Sequence, residues 1–234
     1  MNILITGASR GLGKAMAEAF AAVGAPVFWL TSRQEPALSA TVKSLQSHYT
    51  AATFYGLPAD LSTQVGCQAL ATWVLGFGLP IDVLINNAGS FEPGSVHNEP
   101  EGQLTNMLNT NLMSAYHLTR ALLPGMMAQK TGHIFNICSI ASQQAYANGG
   151  SYSISKFALL GFGKNLREEL KPYNIKVTNV LPGAAYTDSW AASGIDENRL
   201  MAAADVANMV VAAAKLSPRA CVEELVLRPQ LGDL

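Results

Sequence analysis

Charge is scarce in this chain. Only 13% of its 234 residues are Asp, Glu, Lys or Arg, against 49% that are apolar. The two signs nearly cancel, to a formal net charge of -1, so there is no long-range field to recruit nucleic acid or an anionic membrane surface. Cysteine is rare too. Cys67, Cys138 and Cys221 are odd in number, widely separated and without a CxxC pair, which argues against a disulfide framework or a structural zinc site. His48, His97, His117 and His133 have no ligand spacing, and no metal is expected. Long apolar runs are absent as well: the stretch from Met201 to Leu216 is broken by Asp205, Asn208 and Lys215, so no segment is expected to span a bilayer. With the strand-like NILIT at the start no signal peptide is expected, and a reducing cytoplasm is the expected location. The low charge leaves two readings open, a large core or apolar surface hidden between subunits.

What is present is alternation. Short β-branched or apolar runs fall at Asn2 to Thr6, Pro26 to Thr31, Thr53 to Leu57, Asp82 to Ile85, His133 to Cys138, Lys176 to Leu181 and Val222 to Arg228. Stretches of helical period separate them, near 12–23, 36–47, 63–76, 101–129, 153–171 and 203–216. Unbroken apolar strands suit a sheet covered on both faces, and repeated βαβ order predicts right-handed crossovers. The expected architecture is α/β, a doubly wound Rossmann-type parallel sheet of about seven strands with helices on both faces. With no linker or repeat evident, residues 1–234 are read as one domain. Its longest irregular stretch, Ala184 to Asn198, predicts a substrate lid around 184–203, or else a disordered loop. Ligands should collect at the carboxyl ends of the strands.

Two pieces carry chemistry. The first is TGASRGLG (6–13), in which Gly7, Gly11 and Gly13 follow the first strand and precede a helix. Glycines permit a tight turn and close backbone approach, and a helix N-terminus offers free N–H groups to a pyrophosphate. At the end of the second strand, where an acid would bind a ribose 2′-OH, the chain reads Thr31-Ser32-Arg33. Arg33 and Arg10 can clamp a 2′-phosphate, with Ser32 adding a neutral hydrogen bond; alternatively both arginines are solvated surface residues. NADP(H) is expected in preference to NAD(H). Asp60 is placed to accept from an adenine amino group, or else to cap a helix with Ser62. Asn86, Asn87, Ala88 and Gly89 follow the fourth strand; the small residues let the backbone pass close to a ribose, while the asparagine amides tie neighbouring strands.

The second piece is Ser139, Tyr152 and Lys156. Tyr152 and Lys156 are four residues apart and share one helix face. An ammonium beside a phenol favours the phenolate, which would lower the tyrosine pKa and ease proton exchange. Ser139, at a strand end, can hydrogen-bond a substrate oxygen as charge develops on it. Cys138 beside it reads as a small buried strand residue.

With TGASRGLG, Asp60, NNAG (86–89), Asn111 in NTN, Ser139, YSISK (152–156) and PG (182–183), the chain resembles the short-chain dehydrogenase/reductase family over essentially its full length. The resemblance implies a catalytic tetrad of Asn111, Ser139, Tyr152 and Lys156. In it Tyr152 exchanges the proton, Lys156 binds nicotinamide ribose hydroxyls and adjusts Tyr152, Ser139 orients the carbonyl, and Asn111 holds a water of the proton relay. It also implies cofactor contacts from Gly7, Ser9, Arg10, Gly11, Leu12, Gly13, Ser32, Arg33, Asp60, Leu61, Asn87, Ala88 and Gly89. Pro182, Gly183, Ala185 and Thr187 match the segment that seats the nicotinamide carboxamide, Ala185 departing from the usual Val or Ile. A homodimer or homotetramer built on the helices at 101–129 and 153–171 is implied too.

The substrate is expected to be a small-molecule carbonyl compound, reduced with NADPH. Ser90, Phe91, Gln143, Tyr146, Tyr186, Trp190 and Met201 are candidate pocket residues, whose aromatic rings can stack on a flat ring or simply pack the lid. PGAAYTDSW (182–190) and the ending VEELVLRPQLGDL look similar to bacterial sepiapterin-reductase-like members. Two alternatives stand beside this: a 3-oxoacyl-[acyl-carrier-protein] reductase, and a non-catalytic dinucleotide-sensing protein.

Overall fold

The computed structural model describes residues 1–187 and 194–233. In chain order its elements are β1 (Asn2–Thr6), α1 (Gly11–Ala22), β2 (Val27–Ser32), α2 (Glu35–His48), β3 (Thr53–Pro58), α3 (Gln64–Leu75), β4 (Val83–Asn86), α4 (Gln103–Leu108), α5 (Ser114–Gln129), β5 (Gly132–Ile137), α6 (Gly150–Leu170), β6 (Ile175–Pro182), β7 (Ala185–Tyr186), β8 (Met201–Ala202), α7 (Ala203–Ala214) and β9 (Glu224–Leu227).

Seven strands form one sheet in the order β3-β2-β1-β4-β5-β6-β9, and every pair is parallel. Successive strand residues point to opposite faces, and here both faces are buried. Ile3, Ile5, Phe28, Leu30, Val83, Ile85 and Phe135 enter a core shared with α1, α2 and α7. Leu4, Trp29, Leu84, Ile134 and Val177 enter a second core, under α3, α5 and α6. This is why the strands read as continuous apolar runs. Among the described residues no helix is long and apolar enough to cross a membrane.

The strand order reverses between β1 and β4, and a crevice opens at such a switch point beyond the carboxyl ends of the strands. The segments entering it are locally specified. After β1 the chain turns through Gly7 and Gly11, both at positive φ (+64° and +55°). α3 begins where the Thr63 hydroxyl accepts the Gly66 N–H at 3.0 Å.

One expectation is revised. The stretch 101–129 is not a single helix: α4 and α5 are joined by a π-helical turn, Asn109–Met113. Its widened turn carries Asn111, and π turns of this kind recur at functional sites. Within the expected lid, β7 pairs with β8 through Ala185–Met201 and Tyr186–Ala202. Trp190 lies outside the described residues.

Candidate active site

Thr6 is the hub of the glycine turn. Its hydroxyl donates to Ile85 O (3.3 Å) and accepts from the N–H groups of Asn87 (2.9 Å) and Ala88 (2.8 Å). Asn87 returns the contact: its Nδ2 donates to Thr6 O at 2.8 Å and Gly7 O at 3.0 Å. A Cβ on Gly13 would stand 2.7 Å from that Nδ2 and 2.9 Å from the Ala8 Cα, so only glycine fits. On the outer side Thr41 of α2 donates its hydroxyl to Ser9 O at 2.7 Å. The turn is thus tied to β4 and α2, yet α1 has no side-chain cap and no acid in its first turn. Its N-terminal N–H groups, with the positive end of the helix dipole, fit a bound phosphate anion. Leu12 is half-buried against the first core, and Thr187 lies over the turn, its methyl 3.4 Å from where a Gly11 Cβ would be.

Arg10 and Arg33 are exposed, and Ser32 is half-buried at the end of β2. Asp60 accepts from the Ser62 N–H (3.0 Å) and hydroxyl (2.7 Å). These bonds, and to a smaller degree the neighbouring Arg33 guanidinium, hold its carboxyl below the ordinary range. Thr63, not Asp60, caps the following helix, and Leu61 is buried in the second core. Pro182 is buried at the end of β6, Gly183 N–H donates to Leu227 O at 2.7 Å, and Ala185 lies in β7.

The second group sits beside this turn. Asn86, Asn136 and Asn179 occupy matching register positions on β4, β5 and β6. Their amides form a buried row: Asn86 Nδ2 donates to Asn136 Oδ1 at 3.0 Å, and Asn136 Nδ2 to Asn179 Oδ1 at 3.2 Å. Gly163 of α6 leaves room for it, since a Cβ there would run into the Asn179 amide. This row carries through β5 and β6 the strand-tying role expected of the asparagines after β4.

Asn111 is buried and spans two segments. Its Oδ1 accepts from Ser90 N at 2.8 Å; its Nδ2 donates to Ser90 O at 3.0 Å and Ser155 Oγ at 2.9 Å. Both amide hydrogens are therefore engaged, and one lone pair on Oδ1 is left for a further donor. Gly89 lies close by: a Cβ there would stand 3.1 Å from Asn111 Oδ1 and 3.5 Å from Lys156 Nζ.

Ser139 is buried at the end of β5, its Oγ accepting from Ala141 N at 3.1 Å. Tyr152 enters from the first turn of α6. Burial pushes its phenol above the ordinary value, a hydrogen bond with Ser139 works in the opposite direction, and nearby Cys138 raises it further. Lys156 is buried one turn later. Its Nζ donates to Ile137 O at 2.9 Å and stands 5.8 Å from the centre of the Tyr152 ring. Burial lowers its own pKa. In this arrangement the shift of the Tyr152 phenol is set mainly by its burial, with Lys156 not among its causes. Burial drives the Cys138 thiol up to about 12, which makes it inert.

Of the candidate pocket residues, Phe91 packs edge-on against Tyr152, with ring centres 5.0 Å apart. Tyr146 lies close to Tyr152. Phe91, Tyr146 and Tyr186 are exposed. Gln143 instead donates to Glu224 Oε2 at 2.8 Å, and Met201 is buried in the first core. The tying roles of Thr6, Thr41 and Ser155 are not legible in the sequence, where a hydroxyl hub has no signature of its own.

A family model described as short chain dehydrogenase matches residues 1–198. The chain is 35% identical to a sepiapterin reductase of Chlorobaculum tepidum over 239 residues, covering 99% of this chain and 97% of that protein. It is 30% identical to the 3-oxoacyl-[acyl-carrier-protein] reductase FabG of Vibrio cholerae over 203 residues, covering 87% and 80% of the two chains. A metagenomic short-chain oxidoreductase solved in complex with NADP superposes with a TM-score of 0.84 at 31% identity, covering 98% of this chain and 97% of the other.

Proposed function

The chain belongs to the short-chain dehydrogenase family, and on that premise we propose that it is an NADPH-dependent reductase of a ketone or aldehyde. The observation that carries the reading is the meeting of Ser139, Tyr152 and Lys156 beside a glycine turn that has no room for a Cβ and no competing acid. Bound in that turn, NADPH supplies the hydride that converts the carbonyl carbon to an alcohol carbon.

The chain's own groups do the rest. Backbone N–H groups at the start of α1 hold the pyrophosphate, in the space kept by Gly7, Gly11 and Gly13. Arg33, with Arg10 and Ser32, receives the 2′-phosphate, which favours NADP(H) over NAD(H). Asp60 accepts from the adenine, flanked by Leu61. Asn87, Ala88 and Gly89 line the ribose, and Pro182, Gly183, Ala185 and Thr187 seat the carboxamide. Ser9 and Leu12 complete the turn.

Ser139 donates to the carbonyl oxygen as negative charge grows on it, and Tyr152 Oη delivers the proton. A phenol kept protonated by burial is suited to the acid role. Lys156 keeps ammonium donors for ribose hydroxyls beyond the one given to Ile137 O. The remaining lone pair of Asn111 Oδ1 can hold a water that resupplies the proton.

For the substrate we favour a planar ring carbonyl, of the pteridine kind or a small analogue. Phe91 and Tyr146 put exposed aromatic surface beside Tyr152, and the sepiapterin reductase relative points the same way. A 3-oxoacyl-carrier-protein reductase is the alternative. An acidic carrier needs free basic residues, whereas Lys164 is paired with Glu224 at 3.0 Å and Arg167 with Glu223 at 3.2 Å. The intact reacting set disfavours a sensor without catalysis. Homo-oligomerisation is supported by exposed Ile154 and Phe157 on α6, and three free thiols suit a reducing cytoplasm.

The test is NADPH consumption with a panel of pteridine carbonyls, small ketones and 3-oxoacyl thioesters. Turnover of ring carbonyls supports the reading. Preference for the thioesters selects the alternative, and tight NADPH binding without consumption selects the sensor.

A further inference from the structure

The segment leaving β4 is fastened at both ends to the reacting groups. At one end Ser90 is held by Asn111 through both its N–H and its C=O. At the other, Glu99 reaches the start of α6. Its Oε1 accepts from Ser151 N at 2.7 Å, and the Ser151 hydroxyl donates to its Oε2. Ser151 is fully buried and directly precedes Tyr152.

Among the described residues no other side chain performs this task. Gly149, at the N-cap position, has helical backbone angles and no side chain, and the first turn of α6 contains no acid. A carboxylate from outside the helix thus satisfies an N–H that would otherwise be orphaned, and its charge is favoured by the helix dipole. The surroundings are cut to its shape. A Cβ on Gly150 would stand 2.8 Å from the Glu99 carboxyl carbon, and one on Gly94 would stand 2.7 Å from Glu99 Cγ. Around it the two backbones are joined: Gly94 N–H donates to Asn148 O at 3.1 Å, Ser95 Oγ to Asn148 Oδ1 at 3.0 Å, and Gly94 bridges Gly149. Between these fastenings, Phe91 rests its ring edge-on against Tyr152.

We propose that Glu99 is a positioning residue for the reduction. Its carboxylate fixes the first turn of α6 against segment 90–99, and so sets the aim of Tyr152 and the seat of Phe91 beside it. The inference rests on the reductase reading above. The carboxylate accepts one N–H and one O–H; an alanine supplies no partner, whereas a glutamine oxygen still accepts the Ser151 N–H and its amide can donate to the Ser151 hydroxyl oxygen.

The experiment compares Glu99→Ala and Glu99→Gln with the parent chain at a temperature where all three are folded. It reads kcat and KM for carbonyl reduction, NADPH affinity by fluorescence, and amide exchange by mass spectrometry. Glu99→Ala should lower kcat about 10-fold or more while NADPH affinity stays within about twofold, because the glycine turn is untouched. Exchange should quicken in residues 150–155 and 90–99 and not in β1 or β4. Glu99→Gln should recover kcat to within about threefold of the parent. The proposal is overturned by an unchanged kcat in Glu99→Ala, by cofactor affinity falling in step with kcat, or by glutamine doing no better than alanine. If the parent chain itself reduces no carbonyl, the reductase reading fails. The exchange pattern then still decides whether Glu99 secures α6, and unchanged exchange at 150–155 overturns that part independently.

Discussion

Asn87 and Gly13 compete for one volume: the Asn87 amide nitrogen that donates to Thr6 O and Gly7 O lies 2.7 Å from where a Gly13 Cβ would stand. The end of β4 and the start of α1 are therefore built against each other, and the shape of the nucleotide turn depends on both.

Gly13→Ala tests this directly. The added methyl must displace either the amide or the turn, and overpacking of this kind costs about 1–3 kcal/mol. NADPH affinity should fall and the melting temperature should drop. Wild-type values of both would show that the turn yields without cost.

Tyr152→Phe removes the proton donor and little else. Turnover should fall by about 10²–10⁴, the scale for a positioned acid, while NADPH binding is retained. Near-normal reduction in this variant would transfer the acid role to another group.

Arg33 bears on cofactor choice. Arg33→Ala should weaken NADPH by about 1.5–3 kcal/mol, the range for hydrogen bonds to charged groups, and leave NADH nearly unaffected. Isothermal titration with both cofactors measures the difference; equal losses for the two would remove Arg33 from the 2′-phosphate.

His133 supplies a pH-dependent stability. It is buried, its ring stacked on Phe135, and desolvation with nearby Lys176 lowers its pKa from 6.5 to about 3. The unfolded chain therefore binds a proton that the folded chain refuses. The stability held by neutral His133 is complete above pH 6.5 and is lost as the pH falls towards 3. Its slope is at most about 1.4 kcal/mol per pH unit. Denaturant midpoints of His133→Phe should vary less between pH 7 and pH 4 than those of the parent chain. Parallel curves would mean that His133 is charged, or exposed, in the folded state.

The sheet was legible because its strands are buried on both faces, so each appears as an apolar run whatever its neighbours are. Gly7, Gly11 and Gly13 were legible because a turn between strand and helix is a local event, and Tyr152 and Lys156 because helical spacing is local too. The π turn at Asn109–Met113 escaped notice, since the inserted residue leaves the apolar period of 101–129 nearly intact. Glu99 was invisible for a different reason: its partner Ser151 is 52 residues away, and nothing in the local sequence announces a capping carboxylate supplied from outside the helix. The electrostatic sign at Tyr152 also needed the fold. Spacing shows that a lysine is on the same face, whereas only the fold shows that burial dominates the shift of the phenol.

The row of Asn86, Asn136 and Asn179 has a consequence for the order of assembly. Each link of the row forms only when the next strand docks, and the last of the three, β6, begins at Ile175. The strands that frame the glycine turn are complete by Asn86. During synthesis from the N-terminus the nucleotide turn can therefore take shape while the floor beneath the reacting groups is still missing. A chain interrupted before β6 would leave the Asn136 amide without its Asn179 acceptor.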